Sequence, residues 1–305
     1  MTRDQVEKSR KSLDPQTLAE IQGLRLRARH IVEGYVAGLH RSPYHGFSIE
    51  FAEHREYVPG DDLRYLDWKV LARTDKLSLK RYEDETNLIA YLVLDVSESM
   101  QYQGPTAAMS KLAYAQCMAA SLAWMILRQQ DAVSLVTFDE QVRTFLRPAS
   151  HPAHLQQVVD VMESAESHGK TSIGPVFHEL AERFSKRGIV VVLSDLFGDP
   201  ADTIAGLKHF RHRQHEVVVL HMLDPAELEF PFEQPTLFRG LEQLPEVVAD
   251  PRALRRAYLK EFDRYLTQVA QQCRAAGLDY QQVRTDTSLD VALSSYLAER
   301  SRQVR

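Results

Sequence analysis

The stretch AYLVLDVSESM, residues 90–100, decides the fold class and indicates a site. Its first half is continuously apolar or aromatic, which is typical of a strand buried on both faces of a parallel sheet. Asp95 ends this run, and Ser97 and Ser99 follow at alternate positions. Alternate residues of an extended chain point to the same side, so the carboxylate and both hydroxyls can face one pocket. The stretch therefore predicts a buried strand with an oxygen-rich site at its carboxyl end.

From this strand onward, apolar strands alternate with helical patterns along the chain. This rhythm predicts an α/β fold with a doubly wound, mostly parallel sheet, in which ligands gather at the carboxyl ends of the strands. The further predicted strands are AVSLVTFD (132–139), the edge strand VRTFLRP (142–148), GIVVVLSD (188–195), EVVVLHMLD (216–224) and LDYQQVRT (278–285). The predicted helices cover about 111–130, 152–164, 175–186, 203–212 and 251–276, with a last helix to about residue 300.

The segment before the sheet differs in composition and predicts a separate organisation. Apolar residues at helical spacing from Asp14-Pro15 to Ser42-Pro43 predict an N-terminal helix. Residues 44–87 are rich in aromatics and in both charge signs, and Leu77 and Leu79 alternate with polar residues as in a strand. We therefore expect an N-terminal extension of helix and charged motif over 1–86 and the sheet domain over 87–305. The proline-bearing residues 226–250 predict a loop or hairpin insertion in that domain.

Composition excludes several functional classes. The net charge of −5 argues against generic nucleic-acid binding, which usually needs a basic face. The apolar run CMAASLAWMIL, residues 117–127, is well short of the ~18 residues that indicate a membrane span. Two cysteines and an N-terminus without a signal-peptide pattern favour a reduced interior. We expect a cytoplasmic protein with no membrane span and no nucleic-acid partner.

A second predicted strand ends in polar residues that can join the first set. Ser194 and Asp195 close GIVVVLSD, and Thr171 lies in a glycine-bearing loop before a helix, where Ser172 or Thr106 could take its place. These donors are all oxygens, which suits a hard cation such as Mg²⁺, with Mn²⁺ or Ca²⁺ as alternatives. The simpler alternative is that the two serines after Asp95 cap a helix while the carboxylate holds a loop.

This set resembles the metal-ion-dependent adhesion site of von Willebrand factor A domains, whose pattern is D-x-S-x-S with a distant Thr and a distant Asp. The resemblance implies that Ser97, Ser99 and Thr171 contact the metal directly or nearly so. It implies that Asp95 and Asp195 act partly through water. In that family, the metal keeps a position open for a carboxylate of a partner protein.

The segment before the sheet carries a second resemblance. HRSPYHG (40–46) and EFAEHREYVPGDDLRYLDWKVLART (50–74) closely resemble the bacterial domain-of-unknown-function family fifty-eight, whose members carry a von Willebrand factor A-like domain after this segment. The resemblance implies a non-catalytic partner of MoxR-type AAA+ ATPases that acts in chaperone-like maturation or remodelling. The charged motif over 50–73 is interpreted as a structural clamp, with a docking face as the alternative. A second metal site at Glu50, Glu53, Asp61 and Asp62 is a further alternative.

The sequence thus supports a non-enzymatic module that binds Mg²⁺ and captures a partner carboxylate, with an AAA+ ATPase or its client as the partner. The rival hypothesis is a Mg²⁺-dependent hydrolase or phosphatase that uses Asp95. Phosphoaspartate enzymes need a second acidic residue near the nucleophile, and Ser97 stands at that place. The sequence also contains no G-x-S-x-G elbow, P-loop or G-x-G-x-x-G motif.

Overall fold

The computed structural model describes residues 23–39, 55–56, 78–79, 88–165, 172–241 and 246–303. Two compact units are present: one contains helix α1 (Leu24–Leu39) nearly whole together with the chain from Leu88 onward, and the other lies within residues 39–87. In the smaller unit, the described residues form two short antiparallel strands, β1 (Arg55–Glu56) and β2 (Ser78–Leu79). The rest of the 50–73 charged motif lies outside the described residues, so its clamp, docking and metal-site interpretations stay predictions.

The larger unit is built from strands and helices that alternate along the chain. Its strands are β3 (Ile89–Asp95), β4 (Ala132–Phe138), β5 (Val142–Ala149), β6 (Ile189–Ser194), β7 (Glu216–Leu223), β8 (Thr236–Phe238), β9 (Val247–Ala249) and β10 (Asp279–Arg284). Its helices after α1 are α2 (Lys111–Arg128), α3 (His154–Glu163), α4 (Ile173–Arg183), α5 (Pro200–His212), α6 (Pro225–Glu229), α7 (Pro251–Ala275) and α8 (Leu289–Gln303). A 3₁₀ helix, Glu98–Gln101, follows β3.

Six of these strands form one sheet in the order β10-β7-β6-β3-β4-β5. All neighbouring pairs are parallel except β4 and β5, so β5 is an antiparallel edge strand. One face of the sheet packs against α1, α2, α3 and α8, and the other packs against α4, α5 and α7. The predicted doubly wound, mostly parallel α/β fold and the predicted edge strand are confirmed.

Strand β3 lies in the middle of the sheet, and all seven of its residues are buried. Leu92 and Leu94 point into the core on the α2 side, whereas Tyr91 and Val93 point into the core on the α4 side. Burial on both faces explains why this strand is continuously apolar instead of alternating with polar residues. Its carboxyl end is therefore held firmly at the centre of the sheet edge.

The observed helices begin earlier than predicted at two places. Helix α5 begins at Pro200 and not near residue 203, because Asp199 caps it through a 2.8 Å bond from the Ala201 N–H and proline favours the first helical position. Helix α4 begins at Ile173, two residues before Pro175. Of the two alternatives predicted for the 226–250 insertion, a loop or a hairpin, the structure contains a hairpin formed by β8 and β9, and helix α6 ahead of this hairpin was not predicted.

Helix α1 packs with the sheet unit. The Leu24 N–H donates to Glu163 Oε1 at 2.8 Å, and Ala28 and Ile31 are fully buried in the core on the α2 side. The predicted division at residue 86 placed this helix with the charged segment, whereas the structure places it with the sheet. Helical periodicity shows that α1 has an apolar face but does not show which partner covers that face.

Among the residues that the structure describes, no helix combines the length and the apolar character needed to cross a bilayer.

Candidate metal centre

The carboxyl ends of β3 and β6 lie side by side, because the two strands are parallel neighbours with Leu94 opposite Leu193. This pairing brings Ser194 to Asp95, and the serine hydroxyl donates to Asp95 Oδ2 at 2.6 Å. The Ser97 N–H donates to Asp95 Oδ1 at 2.9 Å. Asp95 is fully buried, so these two bonds fix the direction in which its carboxylate points.

The two serines after β3 face each other. Ser97 precedes the 3₁₀ helix as its N-cap residue, but its side chain makes no capping hydrogen bond. Its hydroxyl oxygen instead lies 3.0 Å from that of Ser99, and both residues are buried. The capping alternative therefore does not describe Ser97. The cap of α2 is supplied elsewhere, by Ser110, whose hydroxyl accepts from the Ala113 N–H.

Asp195 joins the same group from the end of β6. Asp195 directly follows Ser194, whose hydroxyl holds Asp95, so Asp195 lies at the sheet edge that carries the serine pair. The Phe197 N–H donates to Oδ1 at 3.2 Å, and Lys111 Nζ donates to Oδ2 at 2.8 Å. Four of the five predicted site residues, Asp95, Ser97, Ser99 and Asp195, are thus brought together at one sheet edge.

Thr171, the fifth predicted site residue, lies outside the described residues, so its place in the site stays a prediction. The next residue, Ser172, donates its N–H to the Asp139 carbonyl at 3.3 Å. Asp139 follows β4, the strand next to β3, so Ser172, directly before α4, lies at the sheet edge that carries the site. Thr106, the other alternative, is exposed in the loop before α2.

Sequence reasoning missed two charged residues of this centre, Lys111 and Glu227. Lys111 Nζ lies 2.6 Å from Glu227 Oε1 in addition to its bond with Asp195, and the lysine side chain is 2% exposed. Glu227 stands in the first turn of α6, and its Oε2 accepts from the Asp224 N–H. The sequence did contain an indication of Lys111, because it is the sole charged residue of the apolar helix α2 before Arg128. Nothing in the sequence indicated that Glu227 meets it.

The protonation states follow from burial and these contacts. Burial, and then the charge of Asp195, raise the pKa of Asp95 to about 7 against the hydrogen bonds from Ser194 and Ser97. Burial also acts to raise the pKa of Asp195, but the charge and hydrogen bond of Lys111 outweigh it, so this pKa lies below its ordinary value. Burial acts to lower the pKa of Lys111, yet Asp195 and Glu227 bring it above its ordinary value. Asp195 and Lys111 therefore form a charged pair.

His221 on β7 holds the backbone of Asp195 in place. Its Nε2 lies 2.8 Å from the Asp195 carbonyl oxygen, and its Nδ1 lies 2.7 Å from the Tyr280 hydroxyl. Burial lowers the pKa of His221 to about 4, so the ring is neutral at pH 7. The carbonyl can only accept, which places the ring proton on Nε2 and leaves Nδ1 to accept from Tyr280. This histidine thus holds the backbone of Asp195 and does not add charge.

The donor set fits a small hard cation. Mg²⁺ binds oxygen ligands at about 2.0–2.1 Å in octahedral geometry, so two neighbouring ligands are separated by about 3.0 Å. The hydroxyl groups of Ser97 and Ser99 are hydrogen-bonded to each other, and their oxygens have this separation. Within the described ranges, no group of three or more His, Cys, Asp and Glu side chains is arranged to hold a metal. A site here therefore depends on neutral hydroxyls, with the carboxylates of Asp95 and Asp195 around them.

The same geometry weighs against covalent catalysis by Asp95. Both of its oxygens already accept hydrogen bonds, from the Ser97 N–H and the Ser194 hydroxyl. Asp195, whose charge acts on Asp95, is paired with Lys111, so it is poorly suited to move a proton. Buried carboxylates held in this way are suited to orient ligands or water around an ion.

The family model and the relatives that match this chain have names that state no activity. The family model described as "Protein of unknown function DUF58" matches residues 53–267. The uncharacterized protein Rv1480 of Mycobacterium tuberculosis is 26% identical over 295 residues, which cover 95% of this chain and 91% of that protein. The uncharacterized protein Mb1516 of Mycobacterium bovis matches with the same identity and coverage.

Two solved structures match this chain at low sequence identity and with TM-scores below 0.5. The conserved hypothetical protein BatB from Bacteroides thetaiotaomicron has 19% identity and a TM-score of 0.45, covering 70% of this chain and 99% of that one. The SpRpn10 VWA domain has 12% identity and a TM-score of 0.40, covering 68% of this chain and 94% of that one. The family match alone spans well over half of the sequence, and by it this chain belongs to the DUF58 family.

Proposed function

We propose that this protein is a non-enzymatic, metal-dependent interaction module with a von Willebrand factor A-like site. The observation that carries the proposal is the 3.0 Å separation of the Ser97 and Ser99 hydroxyl oxygens, with Asp95 bonded to the Ser97 N–H and Asp195 directly after the neighbouring strand β6. Ser97 and Ser99 would hold Mg²⁺ directly, Thr171 would complete the hydroxyl set, and the two aspartates would hold it through water. Mn²⁺ and Ca²⁺ are the alternative ions.

The side chains have distinct tasks in this proposal. The hydroxyls bind the cation without cancelling its charge, and the buried carboxylates orient the water around it. When bound, the cation supplies an electrophilic position that accepts a carboxylate oxygen from outside. Direct ligands that are mostly neutral favour this, because an ion already surrounded by anionic ligands would attract a visiting carboxylate less strongly.

The proposed partner is another protein that presents an acidic side chain. A MoxR-type AAA+ ATPase, or a client of such an ATPase, is the partner that the family resemblance favours, and the proposed role is an adaptor or co-chaperone in the cytoplasm. The net charge of −5 supports a protein partner over a nucleic acid. The metal then provides the local positive charge with which an acidic protein binds an acidic group.

The metal part of the proposal is tested by isothermal titration of the chelator-treated protein with Mg²⁺. We expect wild-type protein to bind and Asp95→Asn and Ser97→Ala to lose binding. Asp139→Asn is the matched control for the aspartate, because Asp139 is also fully buried after a neighbouring strand but pairs with Arg143. Ser121→Ala is the control for the serine, since Ser121 is buried in α2 and bonds the Cys117 carbonyl. Binding that survives Asp95→Asn and Ser97→Ala would place the ion elsewhere.

The partner part is tested by affinity capture from native cells with Mg²⁺ or with a chelator, followed by mass spectrometry. We expect an AAA+ ATPase or its client to be retained by wild-type protein in Mg²⁺, and to be lost with chelator or with Asp95→Asn. Mg²⁺-dependent turnover of a phosphoester by the purified protein, abolished by Asp95→Asn, would instead support a hydrolase.

A further inference from the structure

Lys111 occupies a position that helix electrostatics disfavour. It is the first residue of α2, directly after the Ser110 cap, and the first turn of this helix contains no acidic residue. The N-terminus of a helix carries a partial positive charge, so a cation there is destabilising unless other groups neutralise it. The charge of Lys111 must therefore be balanced by groups outside its own helix.

Two carboxylates from other elements supply this balance. Lys111 Nζ lies 2.8 Å from Asp195 Oδ2, after β6, and 2.6 Å from Glu227 Oε1, on α6. The lysine side chain is 2% exposed, so these carboxylates replace much of the water that an ammonium group would otherwise bind. A buried charge pair with short hydrogen bonds is held tightly, because releasing either partner leaves an uncompensated charge.

This ammonium is connected to the candidate metal ligands through Asp195. The Asp195 carboxylate accepts from Lys111 Nζ at 2.8 Å, and Asp195 directly follows Ser194, whose hydroxyl donates to Asp95 Oδ2 at 2.6 Å. Asp195 thus contacts the ammonium and is the next residue in the chain after the serine that holds Asp95. A cation at the hydroxyl pair and the cation of Lys111 would both be stabilised by the same negative charge.

We propose that Lys111 is a tethered cation that competes with the bound metal for Asp195 and thereby sets the metal affinity of the site. This inference rests on the proposed metal-binding function and adds a residue that determines its strength. In the metal-free protein, Lys111 neutralises Asp195 and keeps the acidic cluster folded. When a metal binds, the lysine charge repels it, so binding is weaker than the oxygen ligands alone would give.

Removing the lysine charge is expected to tighten metal binding. Lys111→Met keeps a long apolar stem without the ammonium, and the loss of a unit charge this close should raise Mg²⁺ affinity by about tenfold or more. Glu227→Gln should act in the opposite direction, weakening binding about threefold or more, because it removes a negative charge and leaves the ammonium to Asp195 alone. Lys208→Met is the control, since Lys208 is an exposed lysine on α5.

The experiment is Mg²⁺ titration of these proteins by calorimetry, with folding checked by circular dichroism. A second measurement keeps the lysine charge in place. Wild-type protein labelled with ¹⁵N is titrated with Mg²⁺, and the Lys111 ammonium signal is followed by NMR. The signal is assigned by its absence from the spectrum of Lys111→Arg. We expect this signal to shift with the same saturation curve as metal binding. The NMR measurement decides the question if Lys111→Met does not fold.

The outcomes separate this inference from the proposed function. Suppose that wild-type protein binds Mg²⁺. If Lys111→Met then binds Mg²⁺ equally well or more weakly, or if the ammonium signal does not shift, the inference about Lys111 is overturned and the proposed metal site is retained. If wild-type protein does not bind but Lys111→Met binds, and adding Asp95→Asn abolishes that binding, the inference is supported and metal binding by the natural chain is rejected. If neither protein binds Mg²⁺, both are overturned.

Discussion

The Ser194 hydroxyl donates a 2.6 Å hydrogen bond to Oδ2 of Asp95, and this bond joins the carboxyl ends of two neighbouring strands. Both residues are fully buried. The Ser194 oxygen also accepts from the Leu196 N–H at 2.9 Å, so the same hydroxyl fixes the loop that leaves β6. Ser194 thus holds Asp95 and the Asp195 loop in one arrangement.

Ser194→Ala should destabilise the protein by about 2 kcal/mol, because it leaves a buried carboxylate and a backbone N–H without this partner. Urea unfolding at pH 8 measures the change. Ser134→Ala is the control: that serine is equally buried but bonds the neutral Leu146 carbonyl, so its loss should cost about 1 kcal/mol. Equal losses in the free energy of unfolding for the two variants would show that the bond to Asp95 stabilises the protein no more than a bond to a neutral carbonyl does.

Asp95→Asn should stabilise the metal-free protein at pH 8. The pKa of Asp95 is raised to about 7 in the folded protein, above its unfolded value, so the folded state binds more protons between the two values. Stability of the wild-type protein in chelator should therefore increase as pH falls toward and below 7, and Asp95→Asn should remove this trend. The gain at pH 8 should be on the order of 1–3 kcal/mol, measured by urea unfolding at several pH values. A variant less stable than wild type at pH 8 would contradict this.

Tyr265→Phe should weaken the site without unfolding the domain. The Tyr265 hydroxyl donates to the Leu196 carbonyl at 2.6 Å, and Leu196 has a positive φ of 52°, which is unfavourable for a leucine. Losing this bond should cost about 1 kcal/mol and loosen the loop that carries the Phe197 N–H to Asp195. We expect Mg²⁺ affinity to fall severalfold by calorimetry. Tyr91→Phe is the comparison, since the Tyr91 hydroxyl donates to the Lys186 carbonyl, which lies before β6 and away from this loop.

His215 should contribute a loss of stability in mild acid. Its ring is buried against Tyr91, Phe184 and Phe210, and its Nδ1 has no hydrogen-bond partner among the described residues. Burial lowers the pKa of His215 below its ordinary value, so the unfolded chain binds the proton more readily. Its contribution to stability is therefore complete above the unfolded pKa of about 6.5 and declines as pH falls below it.

The measurement is thermal unfolding of wild-type protein and His215→Phe between pH 7.5 and 5. The stability of the variant relative to wild type should increase as pH falls over this range, because only wild type carries the imidazole whose pKa is lowered by folding. His212→Gln is the control, because it removes an exposed imidazole at the end of α5 and leaves the buried ring in place. Parallel curves for wild type and His215→Phe would show that the imidazole does not titrate differently on unfolding.

The two cysteines should not react with thiol reagents while the protein is folded. Both are fully buried, and burial raises the pKa of Cys117 to about 11 and that of Cys273 to about 12. Little thiolate therefore exists at pH 8, and the reagent cannot reach it. Ellman's reagent should detect no thiol in native protein and two in urea. Rapid labelling of one native thiol would show that its element opens easily.

The sequence by itself determined the fold class and the part of the site that lies directly after β3. Continuous apolar runs showed which segments are buried strands, and the alternation with helices required a parallel sheet. Asp95, Ser97 and Ser99 lie within five residues, so local geometry alone can bring them together. Helix starts were placed less well, because caps such as Asp199 act on one or two residues and leave no periodic signal.

Only the tertiary structure decided which distant residues complete the centre. Strand order places β6 next to β3 and so brings Ser194 to Asp95, from 99 positions away in the chain. It also brings Glu227 to Lys111, across 116 positions. Hydrophobic periodicity records that a face is buried, but it does not record which charge lies opposite. The pairing of Lys111 with Asp195, on which the metal affinity is proposed to depend, therefore appears only when the chain is folded.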